Sequence, residues 1–210
     1  MRQLFRLRRV LTITGIAIVG IALAASDALA THLRGVTLSW APTGVSRQVR
    51  FTIKYAQRWT YPNSPGVCGG GQGACPALGS AFSLGTGLIP AFNFGDGTTG
   101  IATGTVTSVN QAEDWFIADV TVVHTYATDG PYTAFFQSSA RISSLKLGHD
   151  QDLRMETIVR PTQTNTNSSP VSSMPAIVSI PLTNPTGFAL VASDFDHDTL
   201  RYRLATSLEM

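Results

Sequence analysis

The sequence predicts an all-β protein, an antiparallel β-sandwich followed by the start of a second β module. Three observations carry this. Apolar and polar residues alternate with a period of two, most clearly where Val49, Phe51, Ile53 and Tyr55 interleave with Arg50, Thr52 and Lys54. The composition is poor in charge (13%) and rich in turn formers, with 19 Gly and 11 Pro, which suits short strands and frequent turns. No stretch sustains a helical period.

Residues 1–30 read as a leader, outside the fold. Arg2, Arg6, Arg8 and Arg9 form a basic start, an apolar run follows to about Ala25, and Ala28-Leu29-Ala30 is a small-x-small cleavage signal. The other reading is a membrane anchor, which wants about 20 apolar residues; this run is shorter and ends in the cleavage site. Removal of the leader leaves 11 basic and 12 acidic side chains, a formal charge of −1. The apparent basicity therefore belongs to the export signal, and no Lys/Arg cluster remains to argue for nucleic acid. The expected location is secreted or cell-surface, with no membrane span after cleavage.

Along the mature chain, Leu33–Trp40 and Val49–Trp59 read as strands. Residues 60–80 form a Pro/Gly-rich loop holding Cys68 and Cys75, the two cysteines of the chain. An exported context makes a disulfide the default, and half of a metal site is the alternative. Ala91–Phe94 is a short strand ending in Gly95-Asp96-Gly97. Ile101–Val109 and Trp115–Tyr126 read as a hairpin joined through 110–114, with Phe116, Ala118, Val120, Val122 and Tyr126 on one face. Tyr132–Ile142 and Leu153–Arg160 complete the set. The expected boundaries are a sandwich over 31–160, a polar Thr/Asn/Ser linker over 161–175 with a formal glycosylation sequon at Asn167, and a truncated module over 176–210. Ile177–Ile180, Phe188–Ala192 and Leu200–Leu204 read as the strands of that module, and some forty residues are too few to complete a sandwich.

Two motifs stand out. Phe92-Asn93-Phe94-Gly95-Asp96-Gly97 is a strand running into a tight turn, and His124-Thr125-Tyr126 with Gly130, Tyr132 and Thr133 is a strand, a turn and a returning strand. Together they resemble the polycystic-kidney-disease (PKD) repeat, an immunoglobulin-like sandwich of surface proteins and of accessory domains in secreted hydrolases. The resemblance implies that Phe92, Gly95, Asp96, Gly97, His124, Tyr126, Gly130 and Tyr132 hold the fold and carry no catalysis. Phe92-Asn93 stands where that family usually has Trp-Asp, and residues 98–123 separate the motifs by more than the family's short connection, so the expectation is a decorated relative. Ala192–Leu204, with Asp194, Asp196 and Asp198, resembles the Asp-rich segment of cadherin-like and bacterial adhesion repeats, which implies calcium between domains.

The three aspartates suit Ca²⁺ through hard carboxylate oxygens; a solvated acidic turn is the other reading. Catalytic patterns such as a nucleophile elbow, a His-Glu-x-x-His helix or a phosphate-binding loop do not occur in the sequence. Trp40, Trp59, Tyr61 and Trp115 could line a sugar-binding face, or serve as core and sheet aromatics. The function expected is therefore non-enzymatic: a surface adhesion or extracellular interaction module with protein or glycan ligands. The alternative is a carbohydrate-binding accessory module of a secreted hydrolase.

Overall fold

A computed structural model describes residues 32–60, 75–87, 89–146, 148–164, 166–175, 177–178, 187 and 189–204. The expectations for the 1–30 leader, Cys68, Tyr61 and Phe188 fall outside these residues. The strands are β1 (Leu33–Pro42), β2 (Gln48–Gln57), β3 (Ala81–Leu84), β4 (Phe92–Asn93), β5 (Thr99–Gly100) and β6 (Ala102–Asn110). They continue with β7 (Trp115–Thr125), β8 (Tyr132–Ser138), β9 (Leu153–Val159), β10 (Val171–Ser172) and β11 (Ala192–Ser193). One sheet has five strands in the order β1-β2-β7-β6-β3, and a second has four in the order β5-β4-β8-β9. All strand pairs are antiparallel. The all-β, two-sheet sandwich is as the sequence predicts.

The period-two alternation places the core. Val49, Phe51, Ile53 and Tyr55 of β2 are completely buried, as are Phe116, Ala118 and Val120 of β7. They face Phe92, Ala134, Phe136 and Val159 of the second sheet, which are equally buried. Rings fasten the layers together: Phe51 lies 4.7 Å from Phe92, and Tyr55 meets Phe136 edge-on at 5.8 Å. β2 and β7 pair along ten residues, from Gln48 opposite Thr125 to Gln57 opposite Phe116.

The stretch from 98 to 123 is no appendage. It supplies β5, β6 and most of β7, and β7 lies at the middle of the five-stranded sheet. β3 was not legible because it is four residues long within a Gly/Pro-rich stretch. Leu200–Leu204 forms no strand, and Leu204 is 91% exposed; without a pairing partner its apolar alternation organises nothing. Within the stretch expected to be a linker, Ser168 and Ser169 are buried, and Ser169 is pinned to β1. The Ser169 amide donates to the Trp40 carbonyl at 2.9 Å, and the Trp40 amide donates to Ser169 Oγ at 2.8 Å.

His32 is buried just before β1. Burial and the nearby Arg58 charge push its pKa down to about 4. The unfolded chain therefore binds a proton that the folded chain refuses between about pH 6.5 and 4. Stability should fall as the pH drops through that window, and His32→Gln should flatten this part of the profile. Denaturant midpoints measured every half pH unit check this; a parallel profile for the variant would refute it.

Candidate interaction site

The two sequence motifs meet at one corner of the sandwich. Asn93 Oδ1 accepts from the Gly95 amide at 2.8 Å, and Asp96 Oδ1 accepts from the Thr98 amide and hydroxyl at 3.0 and 2.7 Å. These side-chain bonds to nearby backbone shape the turn. The other Asp96 oxygen lies 2.7 Å from His124 Nε2. Phe94 stacks on the His124 ring at 3.9 Å, and Tyr126 meets the same ring edge-on at 4.6 Å. The buried Tyr126 hydroxyl donates to the Phe94 carbonyl at 2.9 Å, and Tyr132 stacks on Tyr126 at 4.4 Å. Thr128 Oγ1 and the Tyr132 hydroxyl lie 2.7 Å apart. At Gly130 a Cβ would lie 2.8 Å from the Val159 carbonyl, so the turn packs closely against β9.

This ladder uses up its own polar groups. Burial raises the Asp96 pKa, but hydrogen bonds from Thr98 and His124 and the His124 charge lower it further, so it sits below the usual carboxylate range. Its stabilisation is complete above that range and is lost as the pH falls through the lowered value. Burial pushes the Tyr126 phenol up. His124 is sandwiched by rings and held by Asp96, an arrangement suited to fixing a corner.

The other end of β7 carries a second hub, not visible in the sequence. Asp114, in the β6–β7 turn at φ 56°, accepts from Arg58 Nε at 2.8 Å and from the Thr60 amide and hydroxyl, each at 2.8 Å. The Glu113 and Asp114 carbonyls both accept from Arg34 Nη2. Trp59 Nε1 donates to the Pro76 carbonyl, and Trp115 Nε1 to Glu113. Trp40 is 3% exposed, inside the core. The three tryptophans therefore do not assemble a common sugar-binding face.

In the C-terminal stretch Asp194 Oδ1 accepts from the Asp196 and Asp198 amides at 2.9 and 3.1 Å, closing a turn. Asp196 Oδ2 accepts from the Ser168 amide and hydroxyl, both at 2.7 Å. Among the described residues no group of three or more His, Cys, Asp or Glu side chains could hold a metal ion. Calcium binding by Asp194, Asp196 and Asp198 is thus a proposal for melting experiments. A bound ion would raise Tm progressively with Ca²⁺ concentration, and coincident curves would remove the proposal.

The Asp196–Ser168 contact also builds a cleft of about 560 Å³ against β1 and β2. Ser39, Pro42 and Thr52 contribute from the sheet, and Val171, Phe195 and Asp196 from the C-terminal stretch. Sequence reasoning missed it because its walls lie more than a hundred residues apart.

Residues 34–162 match the family described as integrin beta-like protein A-E, N-terminal. Integrin beta-like protein C of Dictyostelium discoideum is 32% identical over 175 residues, covering 79% of this chain and 8% of that protein. Integrin beta-like protein A of the same organism is 30% identical over 195 residues, covering 86% and 9%, and protein B is 29% identical over 191 residues, also covering 86% and 9%. The chain thus spans less than a tenth of the length of these relatives. No solved structure matches it.

These findings overturn the PKD and cadherin-like resemblance. The matched region runs from β1 to just beyond β9, taking in the 98–123 stretch that the PKD comparison had to treat as an insertion. The shared motif reflects turn chemistry: an Asp that bonds to nearby backbone, and a Gly that permits close approach. The chain belongs to the integrin beta-like protein A-E, N-terminal family.

Proposed function

We propose that the chain is an exported, non-enzymatic module of adhesion type, displayed in the secreted or cell-surface space, where it binds extracellular protein or glycan ligands. The observation that carries this reading is the match of residues 34–162 to the integrin beta-like family. The geometry is consistent with it. The motif residues of the corner are engaged in internal hydrogen bonds and ring contacts. The outer face of the five-stranded sheet and the adjoining cleft are left as binding surface.

Beads coated with the chain test the reading on cells of the organism that makes it. Coated beads should be retained under flow well above albumin-coated beads. Equal retention would count against adhesion.

A further inference from the structure

The outer face of the five-stranded sheet carries a continuous row of hydroxyls. Ser39 of β1 lies opposite Thr52 of β2, Thr52 opposite Thr121 of β7, Thr121 opposite Thr103 of β6, and Thr103 opposite Ser83 of β3. The row thus crosses every strand of the sheet. At about 4.8 Å per strand its four steps span roughly 19 Å. The pleat aims these side chains away from the core, because their sequence neighbours Trp40, Phe51, Val120, Ala102 and Phe82 are the buried ones. None of the five hydroxyls is bonded to another described residue.

The bordering rows keep the same character. Thr37, Lys54, Asp119 and Thr105 lie side by side on one flank. Lys54 and Asp119 are 3.7 Å apart and balance each other's charge. Arg50 lies on the other flank, between Ala41 and Val123. The face therefore has many small donors and acceptors and no charge cluster. At its β1 edge the row runs into the cleft, since Ser39 and Thr52 also line it, and the cleft wall presents Phe195 at 86% exposure.

A ligand that fits must offer many hydroxyls at a regular spacing, little charge, and at least one apolar ring face. A protein partner would look for aromatic or Arg anchors at the centre of its patch, and the centre here is threonine. A sulfated or phosphorylated ligand would need clustered cations. A chain of pyranose sugars has equatorial hydroxyls, apolar C–H faces, and in an extended β-linked form a rise per sugar close to one strand spacing. Resting on the adhesion reading above, we propose that this face binds an extended neutral polysaccharide laid across the strands. Its hydroxyls exchange hydrogen bonds with Ser39, Thr52, Thr121, Thr103 and Ser83, and one sugar ring stacks on Phe195.

Affinity electrophoresis of the full chain through gels holding a soluble β-glucan, a xylan, a mannan or heparin tests this. At least one neutral polysaccharide should retard the chain. The triple variant Thr52→Val, Thr121→Val, Thr103→Val keeps the β-branched shape that strands favour and should bind at least tenfold more weakly. Phe195→Ala, at a side chain that is 86% exposed, should weaken binding several-fold with an unchanged melting curve, and it carries the test if the triple variant fails to fold. Retardation by heparin alone, by no gel, or equally for wild type and a folded variant would overturn the proposal. So would a concentration-dependent dimer abolished by the triple variant, which would assign the face to a second copy. Bead retention that survives periodate treatment of the cells yet is lost in the triple variant would assign it to a protein. Bead retention without any gel retardation would leave the adhesion reading standing and remove the polysaccharide.

Discussion

Gly95→Ala should destabilise the sandwich by more than about 3 kcal/mol. A Cβ at this position would lie 2.3 Å from the Thr133 carbonyl oxygen and 2.6 Å from its carbon, both rigid backbone of β8. The residue also has φ +83°, where a side chain adds roughly 1–2 kcal/mol of strain. Relief would have to come from parting β4 and β8, which meet at Asn93 opposite Phe135. That would pull apart the Phe94–His124–Tyr126 ladder as well. Gly97→Ala is the matched control: its φ is +91° but nothing lies within 4 Å of the added carbon. It should show the strain alone, about 1 kcal/mol. For a domain of this size the Gly95 variant should then melt roughly 6–12 °C lower than wild type. Equal losses at the two glycines would refute the close approach.

Phe51→Ala should cost about 3–5 kcal/mol. The ring is completely buried in β2 and touches both Phe92 and Phe94 of the opposite layer, with centroids at 4.7 and 5.8 Å. Truncation removes one of the rings that join the two sheets and leaves a cavity that the surrounding strands can close only in part. Thr52→Ala, one residue on and facing outward, should change stability by less than about 0.5 kcal/mol. Urea titrations read both, with unchanged slopes expected if unfolding stays two-state. A small effect at Phe51 would mean that the sheets do not pack through this aromatic cluster.

The strands of the core were legible because burial on one face writes a period of two into the sequence, as in β2 and in the Phe116–Val122 run of β7. The motif corner was legible as scaffold, since Gly-Asp-Gly turns have few other uses. Its closing contact, from Asp96 to His124, spans 28 residues and leaves no local pattern. Glu113 and Asp114 read only as part of the 110–114 connection of a hairpin. The left-handed backbone at Asp114 instead turns its carboxylate onto Arg58 and Thr60. The cleft depends on Ser169 reaching Trp40 across 129 residues, a pairing that no window of sequence contains. Family assignment failed for a related reason. The residues that resembled a PKD repeat report the geometry of one corner, which unrelated sandwiches can build alike, whereas membership is recorded across the whole of 34–162.

The hydroxyl row was hidden in the same way. Ser39, Thr52, Ser83, Thr103 and Thr121 read singly as ordinary outward positions, and only the register of four strand pairings aligns them.

The most direct test of an adhesion-type module is bead retention under flow on cells of the organism that makes the protein. The expected result is strong retention of wild-type beads, unchanged for Gly97→Ala and reduced for Phe51→Ala, whose sandwich is less stable. Wild-type beads retained no better than albumin-coated beads would contradict the account.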